Sequence, residues 1–321
     1  NKVTPRTKAV IPVHMCGAPA RIDKIMKVAK KHKLLVLEDN AQGCGSSYKG
    51  KMLGTYGHMG IFSFDHYKTI TTGEGGMIIT DDLDLYHRAE WYHDHGHDHL
   101  STIHRALDGR TILGFNYRMN EFQGALGLAQ LRKLNRVIAG QRKNKAALKA
   151  ALAPIPGLKF RLIPDPEGDS ATFLAFNLPA EEQTKAFQKA LKAEGIDTTR
   201  FKDNFWHYVP NWEHFLAKST ANSLKNPFSD PRNRKATYSR KSIPHAEDIL
   251  GRTLIMGVNV KMPAAKIMAI RKGIANAAKA LVCWIGVMPV SPSAMEQVFL
   301  TPSTPSRCVI STTLSRPAFS D

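Results

Sequence analysis

Short apolar runs alternate with segments of helical periodicity near the start of the chain. An apolar run at residues 9–13 precedes a segment with apolar positions at helical spacing, residues 23–32, and a second apolar run follows at 34–37. A strand, a helix and a strand at this spacing are typical of a βαβ unit in a parallel sheet. The pattern therefore predicts an α/β fold.

Further elements are predicted before a proline-rich break. Two short strands cover residues 60–64 and 77–80, and helical patterns cover residues 83–92 and 120–153. Within the last of these, apolar residues recur at the spacing of a core-facing stripe: Ala125, Leu128, Leu131 and Leu134. We therefore expect this stripe to lie in the core.

The sequence APIPG at residues 153–157 contains two prolines and a glycine, which interrupt regular structure. Beyond it, strands are predicted at 172–178 and 255–260, and helices at 181–194 and 264–281. This arrangement predicts a large domain over residues 1–152 and a smaller C-terminal α+β domain over residues 153–281.

The last part of the chain differs in composition. Residues 282–321 are rich in Ser, Thr and Pro, contain four charged residues and keep no helical or strand period. We expect this tail to be disordered or not native to the protein.

Charge and cysteine content narrow the class of protein. Lys and Arg total 45 against 27 Asp and Glu, a formal net charge of +18. The basic residues are spread along helices, which favours solvated helix faces first and anionic small-molecule ligands second.

Four dispersed cysteines without a CxxC pair argue against a zinc knuckle or a disulfide scaffold. No apolar run approaches the roughly 18 residues of a membrane span. We predict a cytoplasmic protein that binds neither nucleic acid nor membrane.

Two polar clusters lie at predicted strand ends, where open α/β sheets bind ligands. Asp39 follows the second apolar run, Ser63 lies in the next strand, and Lys68 follows it before a glycine-rich turn at 73–76. The carboxylate can bind a ligand or cap a helix. The lysine can form a Schiff base or lie in a surface loop. Taken alone, the carboxylate favours the helix cap, and the lysine leaves both alternatives open.

Two further clusters carry polar side chains. Asn116 and Arg118 stand among aromatic residues before a predicted helix, where an anion can bind; capping by Asn120 is the alternative. The segment 93–99 holds four His and two Asp but lacks the spacing of metal hydrolases. We predict no metal there, and instead a polar loop that contacts a hydroxylated or anionic substrate.

In this order and spacing, four motifs resemble the DegT/DnrJ/EryC1/StrS family of sugar aminotransferases, which use pyridoxal phosphate (PLP). They are E-D-x-A-Q at 38–42, F-S-F-x-x-x-K at 62–68, G-E-G-G at 73–76 and G-x-N-Y-R-M at 114–119. The resemblance runs to about residue 281. It implies the aspartate aminotransferase-like α/β fold of PLP-dependent transferases, with a smaller C-terminal domain.

The resemblance implies a role for individual residues. Lys68 forms the Schiff base with PLP, Asp39 pairs with the pyridinium nitrogen, and Gln42 contacts the ring hydroxyl side. Ser63 binds the cofactor phosphate, and Asn116 reaches a phosphate in the partner subunit of a homodimer. A carboxylate such as Asp39 keeps the ring nitrogen protonated, which deepens the electron sink.

Residues 13–17, 94–99, 163–170 and 206–212 resemble one branch of the family, the 8-amino-3,8-dideoxy-manno-octulosonate transaminases. This branch implies transfer of an amino group from glutamate to a keto-sugar acid for cell-surface polysaccharide synthesis. His95, His97 and His207 are then candidates for contact with the substrate.

One residue supports the aminotransferase interpretation of the family, and one departure from the family leads to an alternative. Some relatives that dehydrate sugars carry histidine in place of the lysine, so Lys68 favours transamination. The family's large domain begins upstream of the segment that opens this chain, and we therefore expect the domain to be incomplete at its N-terminus. A catalytically inactive relative, or a fragment that binds a partner, is the alternative function.

Overall fold

The first part of the computed structural model carries the elements that position the candidate site. The structure describes residues 2–99, 104, 106–221, 223–224, 226–233, 237–241 and 243–285. In chain order, the elements of this part are β1 (Ala9–Val10), α1 (Ile22–His32), β2 (Leu35–Asp39), β3 (Ser47–Tyr48), β4 (Lys51–Met52), β5 (Met59–Ser63), β6 (Gly76–Ile79), α2 (Leu83–His93), α3 (Glu121–Leu131) and α4 (Leu134–Leu152). The predicted tail lies almost entirely outside the described residues.

Four of these strands form one sheet in the order β1-β2-β5-β6. β1, β2 and β5 are parallel, and α1 connects the first two, which confirms the predicted βαβ unit. β6 runs antiparallel to β5, with Ser63 opposite Gly76. Because Asp39 pairs with Ile61, the carboxyl ends of β2 and β5 meet at one edge of the sheet.

The second part is built on an antiparallel sheet. Its elements are β7 (Lys159–Phe160), β8 (Phe173–Asn177), α5 (Glu181–Ala193), β9 (Thr199–Arg200), α6 (Glu213–Leu216), α7 (Pro244–Gly251), β10 (Thr253–Gly257) and α8 (Ala264–Ile285). The strand order is β7-β8-β10-β9. Among the described residues, no helix is both long enough and apolar enough to cross a membrane.

The strand predicted at 255–260 is displaced by two to three residues in the structure. β10 ends at Gly257 because its partner β8 begins at Phe173, opposite Gly257. The next amide, Val258 N–H, donates to the Thr172 carbonyl, outside the named strands. Pairing with β8, rather than the apolar pattern of β10 itself, sets these bounds.

Helix α4 joins two hydrophobic cores. At its start, Leu134 and Ile138 pack with Ile70 under the turn after β5. At its end, Leu148 and Leu152 belong to the large core of the second part. There, fully buried aromatic and aliphatic side chains include Phe176, Phe187 and Leu254, and each contributes about 1.5–3 kcal/mol. The predicted division at residue 152 stays a prediction, and α4 packs against both parts.

The expectation of a core stripe in the long helical stretch is wrong for its first turns. The stretch is divided into α3 and α4, and none of the residues of α3 is buried. Leu128 is 62% exposed and Leu131 55% exposed, whereas Leu134, at the start of α4, is buried. The apolar spacing predicted a helix here but not that its apolar residues are exposed in α3.

Candidate active site

The carboxyl ends of β2 and β5 bring a carboxylate and an amine to one edge of the sheet. Asp39 is the last residue of β2 and is half-buried. Its Oδ1 accepts a hydrogen bond from the Ala41 amide at 3.1 Å, in a turn that no helix follows, so the capping alternative is wrong. Lys68 lies in the turn after β5, and its side chain is 21% exposed. Its Nζ is 3.8 Å from Asp65 Oδ2.

Gln42 links this edge to the second part of the chain. Gln42 Oε1 accepts a hydrogen bond from the Cys16 amide at 2.8 Å. Gln42 Nε2 lies 3.1 Å from Nε2 of His207, which is 165 residues away in the chain. His207 lies between β9 and α6. The structure thus places His207 beside Gln42.

Burial and two neighbouring charges act on the His207 imidazole. Partial burial of the ring is the largest cause that lowers the pKa of His207, and the positive charge of Lys68 lowers it further. The negative charge of Asp39 raises it by a smaller amount. The structure therefore brings together four residues that the sequence singled out: Lys68, Asp39, Gln42 and His207. An amine, a carboxylate, an amide and an imidazole at one edge are a donor set for acid–base chemistry.

Ser63 and the glycine-rich turn border the same edge. Ser63 is the last residue of β5, and its Oγ accepts a hydrogen bond from the Asp65 amide at 3.4 Å. Gly75 has a φ of +154°, and a Cβ built there would lie 2.6 Å from Thr72 Oγ1. Glycine is required at this position because a side chain would fill the space in the turn.

A buried ionic network behind Asp39 was missed from the sequence. The Glu38 carboxylate is fully buried and accepts hydrogen bonds from His14 Nε2 at 3.0 Å and from the amides of Gly54 at 2.9 Å, Tyr56 at 2.6 Å and Gly57 at 2.7 Å. Burial raises the pKa of Glu38, but these donors outweigh burial and lower it. The sequence signal for this network is a glutamate within an otherwise apolar strand, because a buried carboxylate needs hydrogen-bond donors around it.

The segment 93–99, called the histidine-rich loop below, forms a second cluster around Asp94. His95 Nδ1 lies 2.9 Å and Arg118 Nε 3.2 Å from Asp94 Oδ1. His97 Nδ1 donates to the Asp108 carboxylate at 2.6 Å. Burial raises the pKa of Asp108, and the hydrogen bonds from His97 and Arg110 outweigh it and lower that pKa.

This cluster has some features of a metal site. Asp94, His95 and His97 offer ligand atoms within 4.8 Å of one another. Two cations, Arg118 beside Asp94 and Arg110 Nη1 at 2.8 Å from His97 Nδ1, oppose the binding of a further positive charge. The prediction that no metal binds here stays a prediction, as do the substrate roles of the two histidines.

Asn116 lies with this second cluster. It forms an isolated bridge with Asp94, and its Oδ1 accepts a hydrogen bond from Arg118 Nε at 3.1 Å. Asn116 is exposed. Its neighbours are thus Asp94 and Arg118 rather than Lys68, and its role at a partner subunit stays a prediction.

The chain is similar in sequence to known proteins. The sequence pattern of the DegT/DnrJ/EryC1/StrS aminotransferase family matches residues 1–274. The GDP-perosamine synthase of Escherichia coli O157:H7 is 42% identical over 142 residues, which are 44% of this chain and 38% of that enzyme. The chain therefore spans well under half the length of this curated relative.

Solved structures share the fold. The Helicobacter pylori aminotransferase PseC, involved in the biosynthesis of pseudoaminic acid, superposes with a TM-score of 0.70 at 22% identity, over 87% of this chain and 69% of that one. The E. coli GDP-4-keto-6-deoxy-D-mannose-3-dehydratase has a TM-score of 0.65 at 26% identity, over 85% and 68%. The predicted fold class, that of PLP-dependent transferases, is confirmed. The dehydratase was solved with bound hydrated PLP, in agreement with the predicted cofactor.

Proposed function

Because the chain belongs to the DegT/DnrJ/EryC1/StrS aminotransferase family, we propose that it is a PLP-dependent aminotransferase that acts on a keto-sugar. The observation that carries the proposal is the convergence of Lys68, Asp39 and Gln42 with His207 at one sheet edge. Glutamate would leave as 2-oxoglutarate while the sugar carbonyl becomes an amine. The transfer therefore balances without an external oxidant or reductant.

The residues at this edge fit PLP. Lys68 supplies a primary amine that is mostly shielded from water, and Asp39 supplies a carboxylate from the neighbouring strand. Ser63 supplies a hydroxyl at the end of β5, and Gly75 leaves room for close approach of a ligand to the backbone. A carboxylate, an amine, a hydroxyl and open backbone match the ring nitrogen, aldehyde and phosphate of this cofactor.

Each residue would then perform one task. PLP, when bound, withdraws electrons from the carbon that carries the amino group. The Asp39 carboxylate would hold a proton on the ring nitrogen by its negative charge. Lys68 Nζ would hold the cofactor and, once displaced by the incoming amine, move a proton to and from the reacting carbon. Ser63 Oγ would donate to the phosphate.

The substrate class is proposed to be a keto-sugar acid of the octulosonate type. Support comes from the segments 94–99 and 206–212, which resemble that branch of the family. His207 lies beside the Lys68 site, and His95 and His97 lie in the loop around Asn116. A basic protein with a net charge of +18 suits an acidic sugar and glutamate.

A homodimer is proposed as the working assembly. Its support is the exposed apolar surface of α3 together with Asn116, an exposed residue of the motif that precedes α3. In the proposed dimer, Asn116 and the histidine-rich loop of one subunit would complete the Lys68 site of the other.

Borohydride reduction in the presence of PLP, followed by peptide mass mapping, tests the cofactor assignment. We expect the label on Lys68 in the natural chain, and no label in Lys68→Ala. The matched control is Lys49→Ala, since Lys49 is 66% exposed in its side chain and pairs with Asp23; this variant should be labelled like the natural chain. Absence of label on Lys68 would contradict the assignment.

Transfer of nitrogen from ¹⁵N-glutamate tests the reaction and the substrate class. We expect mass spectrometry to detect ¹⁵N in an eight-carbon keto-sugar acid, with less in a nucleotide-linked keto-sugar. Incorporation into the nucleotide sugar alone would overturn the substrate class but leave the aminotransferase proposal standing. Incorporation into neither would contradict both.

A further inference from the structure

The orientation of the Gln42 amide is determined by the segment before α1. Cys16 has a left-handed backbone with a φ of 58°, and its amide N–H donates to Gln42 Oε1 at 2.8 Å. The segment is held on both sides of Cys16, since Arg161 donates to the Met15 carbonyl at 2.7 Å and Ser46 Oγ donates to the Gly17 carbonyl at 3.0 Å. Because a backbone N–H can only donate, the atom of Gln42 that faces Cys16 is the oxygen.

This orientation determines the protonation of the neighbouring imidazole. With Oε1 on Cys16, the Gln42 nitrogen faces His207 Nε2 at 3.1 Å. An amide nitrogen donates and does not accept, so His207 Nε2 must accept and therefore carries no proton. His207 is thus neutral, with its proton on Nδ1.

The charges that face His207 agree with a neutral ring. Lys68, from the turn after β5, disfavours a second positive charge, and Asp39, from the end of β2, favours it. Lys68 itself lies 3.8 Å from Asp65. Partial burial of the ring adds to the effect of Lys68, and together they outweigh Asp39.

Hydrogen bonds within its own segment hold the backbone of His207. Asn204 Oδ1 accepts hydrogen bonds from the amides of Trp206 at 2.8 Å and His207 at 2.7 Å. Asn211 Nδ2 donates to the Lys202 carbonyl at 2.8 Å, which closes the turn. The Trp206 ring also meets the Tyr67 ring, next to Lys68, at 6.4 Å between centroids. The imidazole is therefore held against Gln42 from the second part of the molecule.

We infer that His207 is a positioning residue for the Lys68 site: its neutral imidazole accepts from Gln42 Nε2 and, together with the Cys16 amide on the other side, holds the Gln42 side chain in place. One hydrogen of Gln42 Nε2 is donated to His207, and the second remains for the ring hydroxyl of the cofactor. This inference rests on the proposed function. Protonation of His207 would set an N–H against the amide N–H and break the link.

Imidazole ¹H–¹⁵N spectra of the chain without PLP test the tautomer directly. We expect unprotonated Nε2 in His207 at neutral pH, with a titration midpoint below the ordinary histidine value. Lys68→Met should raise that midpoint and Asp39→Asn should lower it, because the two charges act in opposite directions. The signals of His32, exposed on α1, serve as the internal control for the spectra. A protonated Nε2 at neutral pH would overturn the inference.

A rescue series separates positioning from simple folding. The amide oxygen of glutamine can accept from Gln42 at any pH, so His207→Gln should retain PLP affinity and lose its dependence on pH. In the natural chain, PLP affinity should fall about fivefold as His207 is protonated, the value of one hydrogen bond. His207→Leu should show the weaker affinity at every pH. The same pH dependence in His207→Gln as in the natural chain would contradict the inference.

The two proposals fail in distinguishable ways. If PLP does not bind at Lys68, the spectra of the unliganded chain still decide whether His207 is neutral and linked to Gln42. If PLP binds and is trapped on Lys68 but the midpoint of His207 responds to neither charge substitution, the cofactor assignment stands and the positioning role is wrong.

Discussion

Glu38 is a residue whose charge is maintained by its neighbours. It lies next to Asp39 in β2, but its side chain points to the opposite face, where His14 and three amides surround it. His14 Nδ1 accepts a hydrogen bond from the Ala20 amide at 3.1 Å, so its proton is on Nε2 and is donated to Glu38. The pair orients the turns on both sides of the strand end that carries Asp39.

We predict that Glu38→Gln lowers the free energy of unfolding by about 3 kcal/mol, because an amide can satisfy only part of these donors and adds an N–H group facing them. Urea denaturation measures the change. Glu167→Gln, at an exposed position, is the control and should be near neutral. A loss of less than about 0.5 kcal/mol in Glu38→Gln would contradict the structural role.

The same substitution should change the response to acid. The pKa of Glu38 is lowered from 4.5 in the folded chain. Its contribution to stability is therefore complete above 4.5 and is lost as the pH falls through the folded-state value. The denaturation midpoint of the natural chain should fall steeply in this window, and that of Glu38→Gln less steeply. Parallel curves would contradict the lowered pKa.

At the scale of elements, α3 begins at a capping box that also holds the glycine-rich turn. Asn120 Oδ1 accepts from the Gln123 amide at 2.9 Å, and Gln123 Oε1 accepts from the Asn120 amide at 3.0 Å. Gln123 Nε2 donates to the Glu74 carbonyl at 2.8 Å. The capping alternative considered for Asn120 is thus confirmed, and the cap ties α3 to the turn beside Lys68.

Removal of this cap should destabilise the chain. Asn120→Ala is expected to lower the free energy of unfolding by about 1 kcal/mol, since two amides at the start of α3 lose their partner geometry. Thermal denaturation followed by circular dichroism measures the effect. Asn135→Ala, at an exposed position inside α4, should be neutral or slightly stabilising. Equal effects in the two variants would contradict the capping role.

At the scale of the whole molecule, α3 carries large exposed apolar side chains around its circumference. Phe122 is 88% exposed, Leu128 62% and Leu131 55%, in a helix with no buried residue. Apolar residues clustered in this way mark an interaction surface rather than scattered exposed side chains. Helix α3 directly follows the motif that contains Asn116, so a second copy of the chain is the proposed partner.

Sedimentation velocity tests the dimer. We expect Phe122→Glu to shift the protein from dimer to monomer, because a charge would be buried in the proposed interface. Leu162→Glu places the same charge at a residue that is 78% exposed and lies after β7 in the second part, so it should leave the dimer intact. A natural chain that sediments as a monomer would rule the dimer out. If Phe122→Glu still sediments as a dimer, the interface does not include Phe122.

Local periodicity was sufficient to predict the elements around the site. The alternation of apolar runs and helical spacing predicted α1, β2, β5 and α5 to within one or two residues, since each of these patterns is set by neighbours within a few positions. The motif spacing also located Asp39 at the end of β2 and Lys68 in the turn after β5. The roles of these residues stay predictions for the trapping experiment.

Tertiary structure determined which residues distant in the chain contact one another. Four findings could not be predicted from the sequence. They are the contact of His207 with Gln42, the exposure of α3, the antiparallel direction of β6 and the burial of Glu38 among four donors. Each of these depends on surfaces that meet only after residues far apart in the chain are packed together. Periodicity determines which face of an element is apolar, and packing alone determines what that face meets.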